Sequence, residues 1–450
     1  MARGQVPNWV WAVLVSVHAL ALGWALSTGR WDFPDSGRYL QAASNLKLHG
    51  ELYARPWPAA PPRGQAIQEF TIRPVGYPTV VLGLGGTRLG PALLLFFQNL
   101  LSLLNIGVVL QWWARRGKPT GKEWAWATVA VLSFPAQLIY ANAVMSEVFL
   151  QTVVLMLTGS ALLFVRRYQA RYFAGVAGAA IMAFLLKPVF APFVLVPASV
   201  GMVLGWKRRQ PQLLLLGIIP LVMVGLYMGW NWRRTGYLHF SSIAEINLLH
   251  YNAAGVVRQV SGPAAEEKWV AAVLREANAQ GNFAARQQVI QARAGALLWA
   301  HPWLYVRQHV QGMIALFLDP GRFDLSQFLG LASPAGGGFL AQTRSGGLLR
   351  ALGSLPLGLM AVLTVLLLAN ALRLGLAVRG FLLLGQGSSV PRYGRWIAGG
   401  LLLYVALLTG PLGAARFLVP VWPLLLGLAL AGLPRRDVLN VRCEEDGANG

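Results

Sequence analysis

Acidic side chains are scarce in this chain. Sixteen of its 450 residues are Asp or Glu, against 38 Lys or Arg, and all charged residues together make up 12%. A soluble protein usually carries about 25%. Cysteine is nearly missing: Cys443 is the only one, so a disulfide scaffold and a Cys-rich metal centre are both excluded. The six histidines (His18, His49, His239, His250, His301 and His309) are scattered without ligand spacing, and no His-Glu-x-x-His motif occurs. Gly336-Gly337-Gly338 is not followed by Gly-Lys-Ser/Thr, so it is no phosphate-binding loop; it reads as a flexible loop, a candidate lid.

What the chain has in abundance is apolar surface. Hydrophobic residues reach 56% before its 50 glycines are counted, and mean hydropathy is +0.52. Such a chain cannot cover itself with a water-facing surface, which excludes a soluble enzyme and a disordered tail protein. The formal charge of +22 would suit a nucleic-acid partner. Here, however, the basic residues fall in short clusters between apolar runs, which is the pattern of membrane topology and not of a nucleic-acid face.

The runs predict an all-α polytopic membrane protein of about ten transmembrane helices. They are Trp9–Ser27, Pro91–Trp113, Ala125–Tyr140, Val148–Val165, Phe173–Leu186, Val189–Trp206, Leu213–Trp230, Ser354–Leu376, Trp396–Thr409 and Phe417–Leu433. Basic clusters around Arg115-Arg116, Arg166-Arg167, Lys207-Arg208-Arg209, Arg392 and Arg435-Arg436 recur on one side. The positive-inside rule makes that side cytoplasmic, together with both termini and the Cys443 tail. The first span reads as an uncleaved signal anchor. Two long segments are then extracytoplasmic, 28–78 and 231–347. They divide the chain into an N-terminal module (1–230), a helical extracytoplasmic segment (231–347) and C-terminal helices with a tail (348–450).

With acids so few, their placement is informative. Asp35 precedes a helical pattern, Tyr39, Ala43 and Leu46, with Gly50 as its stop. It is a helix cap or a catalytic base held just above the bilayer. Glu147 opens an apolar span, where an ionisable group is expensive and points to function; the plainer alternative is an acid stabilised by the helix dipole. Three cations are expected on the same side: Arg73, Lys187 and Arg416. Together they could hold a phosphate against the membrane. Asn247 and His250 suit hydrogen bonding to a polyol, and equally suit caps and turns.

In order, Pro34-Asp35-Ser36 with Tyr39 and His49-Gly50, Arg73-Pro74-Val75-Gly76-Tyr77-Pro78, Met145-Ser146-Glu147, Lys187-Pro188, and Arg416-Phe417 with Pro420 and Pro423 resemble the membrane-embedded GT-C glycosyltransferases. That superfamily includes protein O-mannosyltransferases and the lipid A aminoarabinose transferase. The resemblance covers most of the chain; 262–347 matches nothing in it. It implies a bacterial inner-membrane enzyme using a polyprenyl-phosphate sugar and a glycan, lipid or protein acceptor. Asp35 would then be the catalytic acid of the first loop and Glu147 the second acid. Arg73, Lys187 and Arg416 would bind the donor phosphate, and Tyr39 and Tyr77 the substrate, to which the polyol reading of Asn247 and His250 adds two more substrate-binding candidates. A divalent metal on Asp35 and Glu147 is conceivable, although Ser36 stands where the family often has a second acid. The rival readings are a polyprenyl-linked glycan ligase or polymerase, and a lipid or sugar flippase. A flippase needs polar groups near the bilayer midplane, and the apolar runs look nearly free of them.

Overall fold

The computed structural model describes residues 4–85, 90–117, 119–331, 356–386 and 389–434. The Gly336–Gly338 loop and the Cys443 tail lie outside the described residues. Those described are helical, and no strand occurs among them.

The first part comprises α1 (Asn8–Thr28), α2 (Ser36–His49), α3 (Gly76–Gly83), α4 (Ala92–Gly117), α5 (Gly121–Leu132), α6 (Pro135–Ala141), α7 (Glu147–Arg167), α8 (Ala170–Leu186), α9 (Leu195–Arg208) and α10 (Pro211–Thr235). The middle holds α11 (Ile243–Asn247), α12 (Ala254–Ser261), α13 (Pro263–Asn278), α14 (Phe283–Ala300), α15 (Pro302–Leu318) and α16 (Arg322–Leu329). The last part is α17 (Leu357–Leu383), α18 (Ser389–Thr409), α19 (Ala415–Leu418) and α20 (Trp422–Ala431).

This is a multi-pass membrane protein. Among the described residues, seven helices are long and apolar enough to cross a bilayer, and α5 with α6 makes an eighth if the bent pair is one span. The other two expected spans, Ala170–Leu186 and Ala415–Ala431, are shorter apolar helices. At ~1.5 Å per residue, 17 residues of α8 cover roughly 25 Å, a little less than the ~30 Å hydrocarbon core.

Ala125–Tyr140 was expected to be one span; it is a bent pair, the chain turning by 57° between α5 and α6. Pro135 starts α6, and Phe134 before it has left the helical region, as a residue preceding proline tends to do. The break exposes carbonyls at the end of α5, and Arg373 of α17 covers them. Its Nη2 donates to the Ala130 carbonyl (3.0 Å) and to Ser133 Oγ (2.6 Å), and Nη1 donates to Asn370 Oδ1 (2.5 Å). The guanidinium lies 4.5 Å from the Trp422 ring centroid. Buried within a span, this charge is held by carbonyls, a hydroxyl and an aromatic face.

The span interiors are also more polar than the sequence reading allows. His18 of α1 meets Ser102 of α4 at 2.9 Å, and Gln137 Nε2 donates to the same hydroxyl at 2.8 Å. Gln137 and Gln151 exchange amide bonds, and Gln151 reaches the Val419 carbonyl at 2.6 Å. These groups satisfy one another and pin α1, α4, α6, α7 and the approach to α20 together. Glycine sets the other close contact: a Cβ at Gly380 of α17 would collide with the Leu428 carbonyl of α20, the small-residue packing of membrane helices.

Candidate active site

Five charged side chains from five separate stretches of chain meet at one end of the bundle. Asp35 is at the start of α2 and Arg73 precedes α3. Glu147 is the first residue of α7, Lys187 follows α8, and Arg416 is in α19. Local chemistry aims each of them. Asp35 sits at the N-cap position of α2 yet makes no capping bond. The Ser36 hydroxyl takes over that turn, accepting from the Phe33 amide at 2.9 Å, so the Asp35 carboxylate is released inward. Gly76 lets its chain press on the Leu185 carbonyl, where a Cβ would clash; this brings the Arg73 loop beside the end of α8. Pro188 keeps Lys187 extended. The Val144 amide donates to the Trp31 carbonyl at 3.1 Å, which ties the approach to Glu147 to the approach to Asp35.

The charges alternate. Arg73 Nη2 bonds Asp35 Oδ1. Arg416 Nη2 lies 2.8 Å from Asp35 Oδ2, and its Nε lies 2.6 Å from Glu147 Oε1. Lys187 Nζ takes the same Glu147 oxygen at 2.6 Å. Three cations and two carboxylates leave these five residues at +1. Burial alone would raise the Asp35 carboxyl; Arg416 and Arg73 outweigh it and hold the group well below the usual carboxylate range.

The two acids differ in access. The Asp35 side chain is 17% exposed and Glu147 is 0% exposed. Glu147 therefore stands behind the cations, with Oε2 buried and unpartnered among the described residues. Arg73 is likewise no open phosphate ligand at rest, since Asp35 occupies it. The helix-cap reading of Asp35 is not what the geometry shows, and Lys187 turns inward to Glu147.

Tyr39 and Tyr77 are buried, their rings in edge contact at 4.7 Å. Tyr39 lies under Arg73, 5.1 Å from its guanidinium, and its hydroxyl is 3.5 Å from Ser146 Oγ. Tyr77 donates to Gln98 Oε1 at 2.7 Å. They form the floor of the cluster, not an open substrate surface. Asn247 and His250 join none of the five by a hydrogen bond or ion pair. The Asn247 carbonyl accepts from Asn252 at 2.9 Å, and His250 is exposed on a π-helical turn, Leu248–Ala253.

The possible metal is not supported by the donor set. Arg416 stands between the two carboxylates, with Arg73 on Asp35 and Lys187 on the same Glu147 oxygen, so a divalent cation would face three positive groups. No group of three or more His, Cys, Asp or Glu fit for a metal occurs among the described residues.

Two further acids flank the cluster and escaped the sequence reading. Asp319 accepts from the backbone amides of Ala415 and Gly321, both at 3.1 Å. It thereby fixes the residue before Arg416. Asp324 accepts from the Tyr140 hydroxyl at 2.7 Å, and burial pushes its carboxyl up to about 7. The available local signal, Asp319-Pro320-Gly321, has the composition of an ordinary turn and does not mark a site.

No protein-family model matches this chain, and no curated protein matches it. The crystal structure of ArnT from Cupriavidus metallidurans bound to undecaprenyl phosphate aligns at 17% identity, over 94% of this chain and 77% of that one, with a TM-score of 0.36. The apo structure of the same protein gives 16% identity, the same coverage and a TM-score of 0.35.

Proposed function

We propose that this chain is a membrane glycosyltransferase. It takes a sugar from a polyprenyl-phosphate sugar and places it on an acceptor hydroxyl at the extracytoplasmic face, with inversion. The observation that carries the reading is the alternating five-residue cluster with its partly open Asp35.

Charge balance supports it. The donor is a phosphodiester with one negative charge, which the +1 of the cluster neutralises. As Arg73, Lys187 and Arg416 turn toward the phosphate, the grip on Asp35 loosens and its carboxylate becomes a stronger base. The acceptor oxygen bonds to the anomeric carbon, and the bond from that carbon to the phosphate oxygen breaks. The hydroxyl proton passes to Asp35, which raises the cluster to +2, while the departing polyprenyl phosphate carries −2. Charge thus stays matched throughout, the requirement for electrostatic stabilisation of a leaving group. Glu147 acts as a positioning residue that holds Lys187 and Arg416 in place.

The test is transfer by the purified chain in liposomes, using labelled polyprenyl-phosphate sugars and membrane extract as acceptor source. Label should leave the lipid and appear in acceptor. Movement of intact labelled lipid across the bilayer without transfer would support the flippase reading and overturn this one.

A further inference from the structure

Helix α15 has one side engaged and one side bare. On the engaged side Gln308 Nε2 donates to the Tyr251 carbonyl at 2.7 Å. Gly312 there presses on the Gly410 carbonyl, where a Cβ would collide. On the other side Trp303, Val306, Val310 and Ile314 are exposed, and their spacing puts them on one stripe. Trp299, in the last turn of α14, is bare as well. Trp299 and Trp303 are 84% and 82% exposed, and a bare apolar stripe of this length marks a surface that meets something other than water.

Two contacts fix where α15 lies along the spans. His309 Nε2 is 2.9 Å from the Leu407 carbonyl, which is inside the apolar stretch Arg392–Leu412 and not beyond it. Asn370 Nδ2 donates to the carbonyl of Asp319, the residue that closes α15, at 3.0 Å. Asn370 is the central residue of α17, Leu357–Leu383, so roughly 20 Å of helix extends on either side of it. The exposed side chains of α17 are apolar in both directions, Val362 and Val365 one way, Leu372 and Val378 the other. A bilayer has a hydrocarbon core about 30 Å thick, so a contact at the centre of α17 falls within it. The bare stripe of α15 is thus continuous with the lipid-facing sides of α17 and α18. The only arginine, lysine or carboxylate in α15 is Arg307; it is one turn from Trp303, and its long side chain suits the headgroup boundary. Trp24 and Trp232, near the cluster-side ends of α1 and α10, are exposed too.

We infer that α15 lies in the lipid of the leaflet nearest the charge cluster, with the Trp299–Trp303 corner at its headgroup boundary. The partner is the bilayer itself. Acyl chains cover Val306, Val310 and Ile314, and the two indoles sit at the level where tryptophan concentrates. Residues 231–347 are then not one water-facing segment but are interrupted by a submerged helix. Asp319 also accepts from the Ala415 amide beside Arg416, so the depth of α15 sets the depth of the cluster in the leaflet. That placement holds whether or not the cluster transfers sugar.

The experiment uses the full chain in liposomes. Cys443, the only native cysteine, is changed by Cys443→Ser, and single cysteines carrying a nitroxide are introduced by Val310→Cys and Ile314→Cys. Leu403→Cys in α18 is the lipid reference, and Gln288→Cys in α14 is the water reference; both positions are exposed. Collision of each label with oxygen, which concentrates in hydrocarbon, is compared with collision with a water-soluble nickel chelate. The oxygen-to-nickel ratio at Val310→Cys and Ile314→Cys should match Leu403→Cys and exceed Gln288→Cys several-fold. Trp303→Cys should give a ratio between the two references. All the labelled positions are exposed, and Val306→Cys serves if another variant does not fold. A ratio on the stripe equal to that of Gln288→Cys would mean that it faces water, which overturns the inference. So does exclusion of both reagents, the sign of a protein cover such as a second copy of the chain.

Discussion

Asp35 and Arg416 are 381 positions apart in the chain, yet their side chains meet at 2.8 Å. Arg416 carries the contact onward to Glu147, so one guanidinium joins the first loop of the protein to its last apolar helix. An acid on one side and an acid on the other, with a planar fork between them, is geometry that a lysine cannot reproduce. The resting site is consequently locked. Its cations are engaged and its more open acid is held ionised.

Replacing Asp35 with Asn separates base catalysis from binding. Turnover should fall by about 10²–10⁴, the usual worth of a general base. Affinity for the lipid-phosphate donor should hold or improve, because removing one carboxylate leaves more positive charge facing the phosphate. Transfer rate and donor binding, measured on the same preparation, check this. Wild-type turnover in Asp35→Asn would end the base assignment.

Glu147 and Lys187 should be energetically coupled. Glu147→Gln leaves two buried cations with less compensation, and breaking a buried pair costs about 3–5 kcal/mol. Lys187→Met strands less charge, because Arg416 remains on Glu147. The double variant Glu147→Gln with Lys187→Met should recover part of the loss. A thermal-denaturation double-mutant cycle in detergent measures the coupling; simple additivity would mean the pair is not linked.

Asp324 gives the protein a pH signature. Its folded carboxyl titrates at about 7, above the ordinary value of 3.8. The folded state therefore binds more protons than the unfolded chain between those values, so stability should fall as pH rises from about 4 to 7 and stay reduced above that. Asp324→Asn mimics the protonated form and should remove this decline. At pH 8 the variant should gain on the order of 2–4 kcal/mol relative to its difference at pH 4. Melting curves across pH test the sign; a wild type that stabilises from pH 4 to 7 in step with the variant would contradict it.

Arg373 is expected to matter for folding and not for chemistry. Arg373→Met fills similar volume but takes the guanidinium from the Ala130 carbonyl at the α5–α6 break and leaves the buried Asn370 Oδ1 without that donor. A buried group left without its partner costs about 1–3 kcal/mol. Melting temperature should drop while the turnover of the folded fraction stays close to wild type. A stable but inactive variant would move Arg373 into the functional machinery.

Much of this was legible in the order of residues. Apolar runs gave the helices because a bilayer demands length and hydrophobicity, both visible locally. Gly50 was expected to end α2, and it does so in the left-handed conformation at φ 69. The unusual positions of Asp35 and Glu147 were visible because acids are so scarce. The bend at Pro135 was marked by its proline, although the apolar run Ala125–Tyr140 by itself shows only hydropathy. Gln137 and Gln151 look like isolated polar residues in apolar helices; only packing makes them partners. The same holds for Asp319, whose value lies in two backbone amides, one of them almost a hundred residues away.

By itself, then, the sequence determined that this chain lives in a membrane, where its long apolar helices lie, and which few acids and cations are placed where charge is costly. Those properties follow from local composition and from the price of burying an ion. Only the tertiary structure decided that Arg73, Asp35, Arg416, Glu147 and Lys187 form one alternating chain, that Glu147 is enclosed while Asp35 is partly open, and that Tyr39 and Tyr77 are floor and not surface. Pairing distances and access depend on how helices from distant parts of the chain pack, and no local pattern encodes them.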